Sequence, residues 1–267
     1  MNSAPVGFFD SGFGGLCIRD AFAKACPEES TVYLADSANC PYGNRPPAEI
    51  VALSEANARR LLSEYSCKMV VVACNTATAA AIDVLRAGYP EVPFIGIEPA
   101  VKPAAMMSRT GVVGVLATAG TFGGRLYNET RAKFAKDVTV VATVADEFVE
   151  EVEKLAGRRV EDLEASERER IERVVARKIE PLLDAGADAI VLGCTHFPHL
   201  RSVIERIASG RATVVDPSDA VAAQARRVLD RLGLRAPSGS VPHHVFVQTG
   251  SSEGNKEGCH APAVTSC

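Results

Sequence analysis

The chain has 267 residues and a mass of 28.2 kDa, with 47% hydrophobic and 23% charged residues, which suits a globular protein whose core needs no disulfide or metal. The net charge of −4 gives no positive field to attract nucleic acid or an anionic membrane. The longest apolar runs, such as Met69 to Cys74, are far shorter than the roughly 20 residues that cross a bilayer.

The N-terminal residues lead directly into a strand-like run and carry no signal-peptide pattern. We therefore expect a cytoplasmic protein with small-molecule partners and no nucleic-acid or membrane partner. A homodimer is left open.

Nine short apolar runs alternate along the chain with segments of helical periodicity. Continuous branched runs of this kind are typical of parallel strands covered on both faces, which predicts an α/β fold. The predicted strands are Val6–Phe9, Thr31–Ala35, Met69–Ala73, Phe94–Ile97, Gly111–Leu116, Val138–Val144, Ala189–Leu192, Thr213–Val215 and His244–Gln248.

The longest predicted helix runs from about Val160 to Ala185 and has an apolar stripe against a charged, solvated face. Proline and glycine near residues 99 and 210 suggest boundaries between two lobes. We expect residues 1–98 plus 209–250 to form the first α/β lobe and residues 99–208 the second. Residues 251–267 have no apolar periodicity and are expected to form a flexible tail.

A weak internal repeat places two thiols at matching positions. Val70 to Thr76 aligns with Ile190 to His196: three branched residues, a small residue and then Cys74 or Cys194 where the strand ends. That end of a strand lies at the ligand-binding edge of an α/β sheet. The repeat predicts two similar doubly wound lobes with parallel sheets and an active site in the cleft between them.

A free cysteine is usually a small buried hydrophobic residue. Here both thiols are followed by amide, hydroxyl or imidazole side chains, which favours a catalytic role for the two cysteines. Moving a proton from one face of a carbon to the other needs an acid and a base of similar pKa, and two tuned thiols meet that need. His196 is the candidate partner of Cys194, and Asp10, at the end of the first strand, that of Cys74.

The turn from Asp10 to Gly15 admits two interpretations. Its glycines, with Asp36 after the second strand, resemble a dinucleotide-binding fingerprint, but Cys17 stands where the third glycine belongs and Asp10 would meet the pyrophosphate. A carboxylate beside exposed amides instead suits a zwitterion, with Asp10 and Ser11 facing its ammonium group.

Neutral polar groups near predicted strand ends complete the candidate binding residues. They are Pro41, Tyr42, Gly43, Asn75, Thr76, Thr118, Thr121 and Thr195. Neutral donors orient a ligand without excluding its mirror image. No lysine has a setting that suggests a pyridoxal Schiff base, and no flavin or Walker motif is present. Cys194, His196 and His199 have poor spacing for zinc, so we expect no cofactor and no metal.

Four motifs resemble those of the glutamate racemases, in the same order and at similar spacing over residues 6–230. They are Phe9 to Leu16, Pro41 to Gly43, Ala73 to Ala77 and Leu192 to Pro198. The resemblance implies cofactor-independent racemisation of glutamate that supplies D-glutamate for peptidoglycan.

The resemblance also implies roles for individual residues. Cys74 would exchange the α-proton of D-glutamate and Cys194 that of L-glutamate, with assistance from Asp10 and His196. Contacts to the substrate are implied for Asp10, Ser11, Tyr42, Gly43, Asn75, Thr76, Thr195 and His196. Glu153 stands where the family commonly has a further acid near the second thiol.

Two departures from the family pattern are visible. Ala145-Asp146-Glu147 replaces a common Ala-Cys-Pro, which is expected to alter the charge of the cleft or the contacts between the lobes. The tail after Gly250 does not resemble the family's closing helix. An aspartate racemase, or an amino-acid-binding protein without catalysis, remain as alternative functions.

Overall fold

A computed structural model describes residues 2–134, 137–155 and 158–250. It divides into two compact units, residues 2–97 with 218–250 and residues 98–217. The sequence predicts a return to the first unit at residue 209. In the structure it lies at Ser218, because the strand Thr213–Val215 pairs within the second sheet.

All nine predicted strands are present, within one residue of the expected bounds. They are β1 Val6–Asp10, β2 Thr31–Ala35, β3 Met69–Val72, β4 Phe94–Gly96, β5 Val112–Ala117, β6 Thr139–Val144, β7 Ala189–Gly193, β8 Thr213–Val215 and β9 His244–Gln248.

The strands are joined by helices, as an α/β fold requires. The helices are α1 Leu16–Ala25, α2 Pro47–Ser63, α3 Asn75–Gly88, α4 Val101–Met107, α5 Ala119–Phe122, α6 Arg125–Phe134, α7 Asp146–Leu155, α8 Ala165–Asp184, α9 Arg201–Ala208 and α10 Ser218–Leu232. Short 3-10 turns occur at Ser37–Asn39, Val160–Asp162 and Phe197–Leu200. No helix in the described part of the chain combines the length and apolarity needed to cross a bilayer.

Each unit contains one parallel sheet. The order in the first is β4-β3-β1-β2-β9 and in the second β6-β5-β7-β8, with every pair parallel. The strand order reverses around β1 in the first sheet and around β5 in the second. Such switch points are where ligands bind in open α/β sheets.

Alternation along the strands buries both faces of the second sheet. Leu116 and Ile190 pack into a core with α7, α8 and α9, whereas Val115 and Val191 pack into a separate cluster with α4 and α6. Because successive side chains point to opposite faces, helices cover the sheet on both sides. The predicted doubly wound α/β architecture with two parallel sheets is confirmed.

The first sheet is covered on one face by α1 and α10. Phe8, Tyr33 and Val71 lie in that core. Phe246 of β9 stacks between Tyr33 and Phe13, with ring centroids 5.9 and 5.8 Å away. The last strand therefore supports the turn that follows β1.

The long predicted helix begins later than its apolar stripe suggests. Residues Val160–Asp162 form a 3-10 turn, Leu163 and Glu164 are extended, and α8 begins at Ala165. Ile171 and Val175 are buried, as the stripe predicts. The predicted tail, residues 251–267, lies outside the described residues.

Candidate active site

Three neighbouring strands of the first sheet end in polar residues at one edge. Asp10 ends β1, Asp36 follows β2, and Cys74 lies two residues beyond β3. The strand ends are adjacent, because the Ala73 amide donates to the Phe9 carbonyl at 2.8 Å and the Asp36 amide to the Asp10 carbonyl at 2.9 Å. Parallel pairing thus brings side chains far apart in sequence to one carboxyl-terminal edge.

Cys74 is a free thiol at the start of a helix. It is 5% exposed and caps α3, where its Sγ accepts a hydrogen bond from the Ala77 amide at 3.5 Å. The Ser11 hydroxyl lies 4.0 Å from the same sulfur. Helix N-terminal amides stabilise negative charge, and Cys74 Sγ lies at such a terminus.

Asp10 binds the turn that follows its own strand. One carboxylate oxygen accepts the Ser11 amide at 2.8 Å and the other the Gly15 amide at 2.7 Å. The Ser11 hydroxyl lies 3.5 Å from the first oxygen, and so connects Asp10 towards Cys74. Since the carboxylate takes amides that a phosphate would need, the geometry disfavours the dinucleotide interpretation.

Gly15 permits the close packing of that turn. A Cβ there would lie 2.7 Å from the Ala73 carbonyl oxygen and 2.9 Å from the Tyr33 hydroxyl. The turn is further fixed by the Tyr33 hydroxyl, which donates to the Gly12 carbonyl at 2.9 Å. Any larger residue at position 15 would push the turn away from Ala73 and hence from the Cys74 strand end.

Asn75 carries an unmatched amide beside the first thiol. Only 3% of the residue is exposed, and neither its Nδ2 nor its Oδ1 has a hydrogen-bond partner among the described residues. An unpaired buried donor or acceptor costs about 1–3 kcal/mol. Such a group is understandable where a ligand pairs with it. Thr76 is buried next to it.

The loop Pro41–Gly43 presents its polar groups differently from what the sequence suggests. Tyr42 is buried, and its hydroxyl donates to Asp36 Oδ2 at 2.6 Å while accepting from Asn57 Nδ2 at 3.1 Å. Burial, followed by the bond to Asp36, raises the pKa of Tyr42, so its phenol stays protonated. The Tyr42 hydroxyl is therefore engaged within the protein.

The second sheet has an equivalent edge. β5 and β7 pair side by side, with Ala117 opposite Gly193, and Thr118 and Cys194 follow. A Cβ on Gly193 would lie 2.6 Å from the Leu116 carbonyl oxygen, so glycine is required where these strands end. Cys194 is a free thiol and is 8% exposed.

An imidazole and a carboxylate continue from the second thiol. His196 Nδ1 lies 3.8 Å from Cys194 Sγ, and His196 Nε2 lies 2.6 Å from Glu153 Oε1 on α7. Because a carboxylate only accepts, Nε2 donates to Glu153 and Nδ1 is left to exchange a proton with the thiol. The arrangement suits general acid–base chemistry at Cys194.

Three threonines lie near the same edge. Thr118 and Thr121 are buried with their hydroxyls 2.9 Å apart, and Thr195 is buried between Cys194 and His196 in the chain. They supply neutral polar groups, as the sequence predicts for this edge.

The acids that replace the common Ala-Cys-Pro are engaged in local contacts. Asp146 Oδ1 accepts the Ala119 amide at 3.3 Å, at the start of α5, and Glu147 pairs with Lys178 at 2.9 Å. Burial is the largest cause that raises the pKa of Asp146. These contacts fix the first turn of α7, the helix that carries Glu153.

Two residues near the site were not assigned to it from sequence. The sequence suggests Asp36 only as a ribose ligand, whereas in the structure its carboxylate accepts the Tyr42 hydroxyl. The sequence suggests His199 only as a zinc ligand. Burial and then the neighbouring His196 lower its pKa to about 4, so His199 is neutral at physiological pH. Its sequence signal is the spacing of three residues from His196.

The structure brings the predicted residues together in two groups, one in each unit. The first group contains Asp10, Ser11, Pro41, Tyr42, Gly43, Cys74, Asn75 and Thr76, and the second Thr118, Thr121, Glu153, Cys194, Thr195 and His196. Each group has a buried free thiol at the carboxyl edge of a parallel sheet.

Comparison with known proteins gives a consistent result. The model of the Asp/Glu/hydantoin racemase family matches residues 17–225. A glutamate racemase of Herpetosiphon aurantiacus is 44% identical over 240 residues, 90% of each chain, and one of Roseiflexus sp. is 42% identical over 88% of this chain and 82% of its own.

Solved structures agree with the sequence matches. A glutamate racemase of Bacillus anthracis superposes with a TM-score of 0.81 at 28% identity, covering 94% of this chain and 90% of that one. The Escherichia coli glutamate racemase, solved with L-glutamate and the activator UDP-MurNAc-Ala, gives 0.77 at 30% identity, covering 91% and 88%.

Proposed function

This chain belongs to the Asp/Glu/hydantoin racemase family, and on that basis we propose that it interconverts L-glutamate and D-glutamate through the thiols of Cys74 and Cys194 without a cofactor. The observation that carries the mechanism is the pair of buried free thiols at equivalent strand ends, each beside its own polar partners. Relatives covering about nine tenths of the chain support glutamate as the substrate.

In the proposed reaction, one thiolate removes the α-proton and becomes a thiol. The electron pair of the broken C–H bond stays on the α-carbon as a carbanion-like intermediate, and the other thiol gives its proton to the opposite face and becomes a thiolate. Cys194 is the base for L-glutamate and Cys74 the base for D-glutamate. The next turnover in the same direction requires the two protonation states to be reset.

Different groups assist the two thiols. The Ala77 amide stabilises charge on Cys74 Sγ, with Ser11 and Asp10 next to it. His196, held by Glu153, exchanges a proton with Cys194. Each arrangement places a polar partner beside a thiol, as reversible proton transfer requires.

Binding of glutamate is assigned to neutral polar groups and main-chain amides. Asn75 supports this assignment, because its buried amide has both a donor and an acceptor to offer a ligand. Ser11, Thr76, Thr118, Thr121 and Thr195 provide hydroxyls, and Pro41 to Gly43 provide the adjacent loop. Related glutamate racemases have been solved with L-glutamate and with D-glutamate.

The proposed physiological role is the supply of D-glutamate for peptidoglycan in the cytoplasm. Its support is the similarity to a glutamate racemase solved with the activator UDP-MurNAc-Ala.

Proton NMR in deuterated water tests the activity and the mechanism together. With no cofactor added, the purified protein is expected to remove the α-proton signal of L-glutamate and of D-glutamate, while polarimetry follows racemisation. Cys74→Ala and Cys194→Ala should each abolish racemisation. Cys67→Ala, a matched change at a buried free thiol beside Gly7, should keep it.

The outcomes separate the alternatives. Full racemisation by either Cys74→Ala or Cys194→Ala refutes the two-thiol mechanism. Faster turnover of aspartate than of glutamate indicates an aspartate racemase. Saturable glutamate binding with no deuterium exchange indicates a binding protein.

A further inference from the structure

Asp36 is a buried carboxylate at the centre of a hydrogen-bond cluster in the first unit. It follows β2 and accepts bonds from four side chains. The donors are the Tyr42 hydroxyl at 2.6 Å, the Thr249 hydroxyl at 2.7 Å, Asn39 Nδ2 at 3.0 and 3.1 Å and Asn57 Nδ2 at 3.4 Å. All four of these donors are neutral side chains.

The two carboxylate oxygens hold different parts of the chain. Oδ2 receives the phenol of Tyr42, in the loop after the 3-10 turn, whereas Oδ1 receives Thr249, directly after β9. Thr249 is itself fixed, because its amide donates to the Ala35 carbonyl at 2.9 Å and its hydroxyl accepts the Ala38 amide at 3.1 Å. Asp36 therefore links the last strand to the Tyr42 loop.

The main chain of the loop depends on this anchor. Tyr42 is buried, and its carbonyl accepts a hydrogen bond from the Arg45 amide at 3.0 Å, which closes a turn. Within the described ranges, the amides of Tyr42 and Gly43 donate to no protein acceptor. Two adjacent free amides suit a carboxylate, and their direction is set by where the Tyr42 ring is held.

We propose that Asp36 is a positioning residue for the substrate: it holds the Tyr42 hydroxyl so that the Tyr42–Gly43 main chain is ordered for a carboxylate of glutamate. Thr249 fixes the second oxygen of Asp36 and so acts on the same loop from β9. The inference rests on the proposed function, in which this loop contacts glutamate. It assigns Asp36 to substrate affinity and not to proton transfer.

The test compares Tyr42→Phe and Asp36→Asn with Tyr127→Phe. Tyr127 is a matched control, because its buried hydroxyl has no hydrogen-bond partner in the described chain and it lies outside the candidate site. Tyr42→Phe and Asp36→Asn should each raise KM for both enantiomers about tenfold, the worth of one hydrogen bond to a charged group. Their kcat should stay within about twofold, since neither residue exchanges the α-proton. Tyr127→Phe should leave KM unchanged.

Two further variants show whether the cluster acts as one unit. The double variant of Asp36→Asn and Tyr42→Phe should raise KM no more than the larger single change, because both remove one interaction. Thr249→Val should raise KM about threefold, because it removes the hydroxyl that binds Asp36 Oδ1 but leaves the bond between Tyr42 and Asp36 Oδ2 in place.

The results that overturn the inference are specific. Unchanged KM in Asp36→Asn and Tyr42→Phe, with a lower Tm, would make the cluster purely structural. A fall in kcat at constant KM would place Asp36 in the chemistry and also refute it. If Asp36→Asn does not fold, Tyr42→Phe decides alone. Absence of racemisation in the unsubstituted protein would instead refute the proposed function.

Discussion

Replacing Glu153 by glutamine tests the contact between His196 and its carboxylate. Glu153 Oε1 lies 2.6 Å from His196 Nε2, and His196 Nδ1 lies 3.8 Å from the Cys194 sulfur. When His196 takes the thiol proton, the resulting imidazolium is stabilised by the carboxylate and not by a neutral amide. Glutamine keeps the size of the side chain and removes that charge.

The magnitude follows from the exposure of the pair. A hydrogen bond to a charged group contributes about 1.5–3 kcal/mol. The side chain of His196 is 2% exposed but that of Glu153 is 30% exposed, so solvent screening favours the lower end of this range. About 1.5 kcal/mol lost from the transition state lowers kcat/KM roughly tenfold.

The assay is racemisation of each enantiomer followed by polarimetry, with deuterium incorporation as a second measurement. Glu150→Gln is the matched control, because Glu150 is exposed on the same helix, α7. Control activity should equal that of the unsubstituted protein. Rates within twofold of normal in Glu153→Gln, with the fold intact, would show that the carboxylate does not assist His196.

Three predictions concern stability, measured by urea unfolding. Burial and then a neighbouring histidine lower the pKa of His199 from 6.5 to about 4, so its neutral form contributes stability above pH 6.5 that is lost as the pH falls towards 4. His199→Gln should remove up to about 3 kcal/mol of this pH dependence. An unfolding free energy with the same pH profile in the variant would contradict this prediction. Gly193→Ala should lower the free energy of unfolding by about 2 kcal/mol or more, because the added Cβ would lie 2.6 Å from the Leu116 carbonyl oxygen. An unchanged free energy of unfolding would show that the strand end can shift. Lys68→Met should lower the free energy of unfolding by about 3–5 kcal/mol. The Lys68 amine lies 2.6 Å from the fully buried carboxylate of Glu29, which the substitution leaves without its closest charge partner. An unchanged free energy of unfolding would mean that the other partners of Glu29 suffice.

The strands could be predicted from sequence because local pattern and tertiary setting agree. β2 has its predicted bounds, Thr31–Ala35, and β5 is displaced by one residue. Continuous branched runs have few alternatives in a chain that must bury both faces of a sheet. The bounds of α8 were less predictable. Leu163 continues the apolar stripe and is buried, yet its backbone is extended, and periodicity alone does not distinguish the two conformations.

The site was predictable where it follows directly from strand ends. Cys74 and Cys194 follow from the repeat, and Asp10 from the end of β1. The role of Asp36 was not predictable, because its partners Asn57 and Thr249 are 21 and 213 residues away in sequence. A buried polar cluster depends on distances between elements, whereas a sequence pattern describes one element at a time.

The repeat predicts equivalent thiols, and the structure gives them different partners. Cys74 caps the 14-residue helix α3 and receives an amide, whereas Cys194 is followed by a 3-10 turn and lies beside His196. In the proposed reaction this asymmetry has a strict limit. Mirror-image amino acids have equal free energies, so kcat/KM must be equal in the two directions for the protein and for every variant.

The different partners can therefore make kcat or KM differ between the two directions, but they can change the ratio kcat/KM only by the same factor in both. Loss of the Glu153 carboxylate should lower kcat/KM equally for both enantiomers, although the imidazole that Glu153 holds lies beside Cys194. Unequal changes in kcat/KM would be thermodynamically impossible for a single reversible reaction. Their observation would indicate that the measured turnover includes a second process, such as inactivation during the assay.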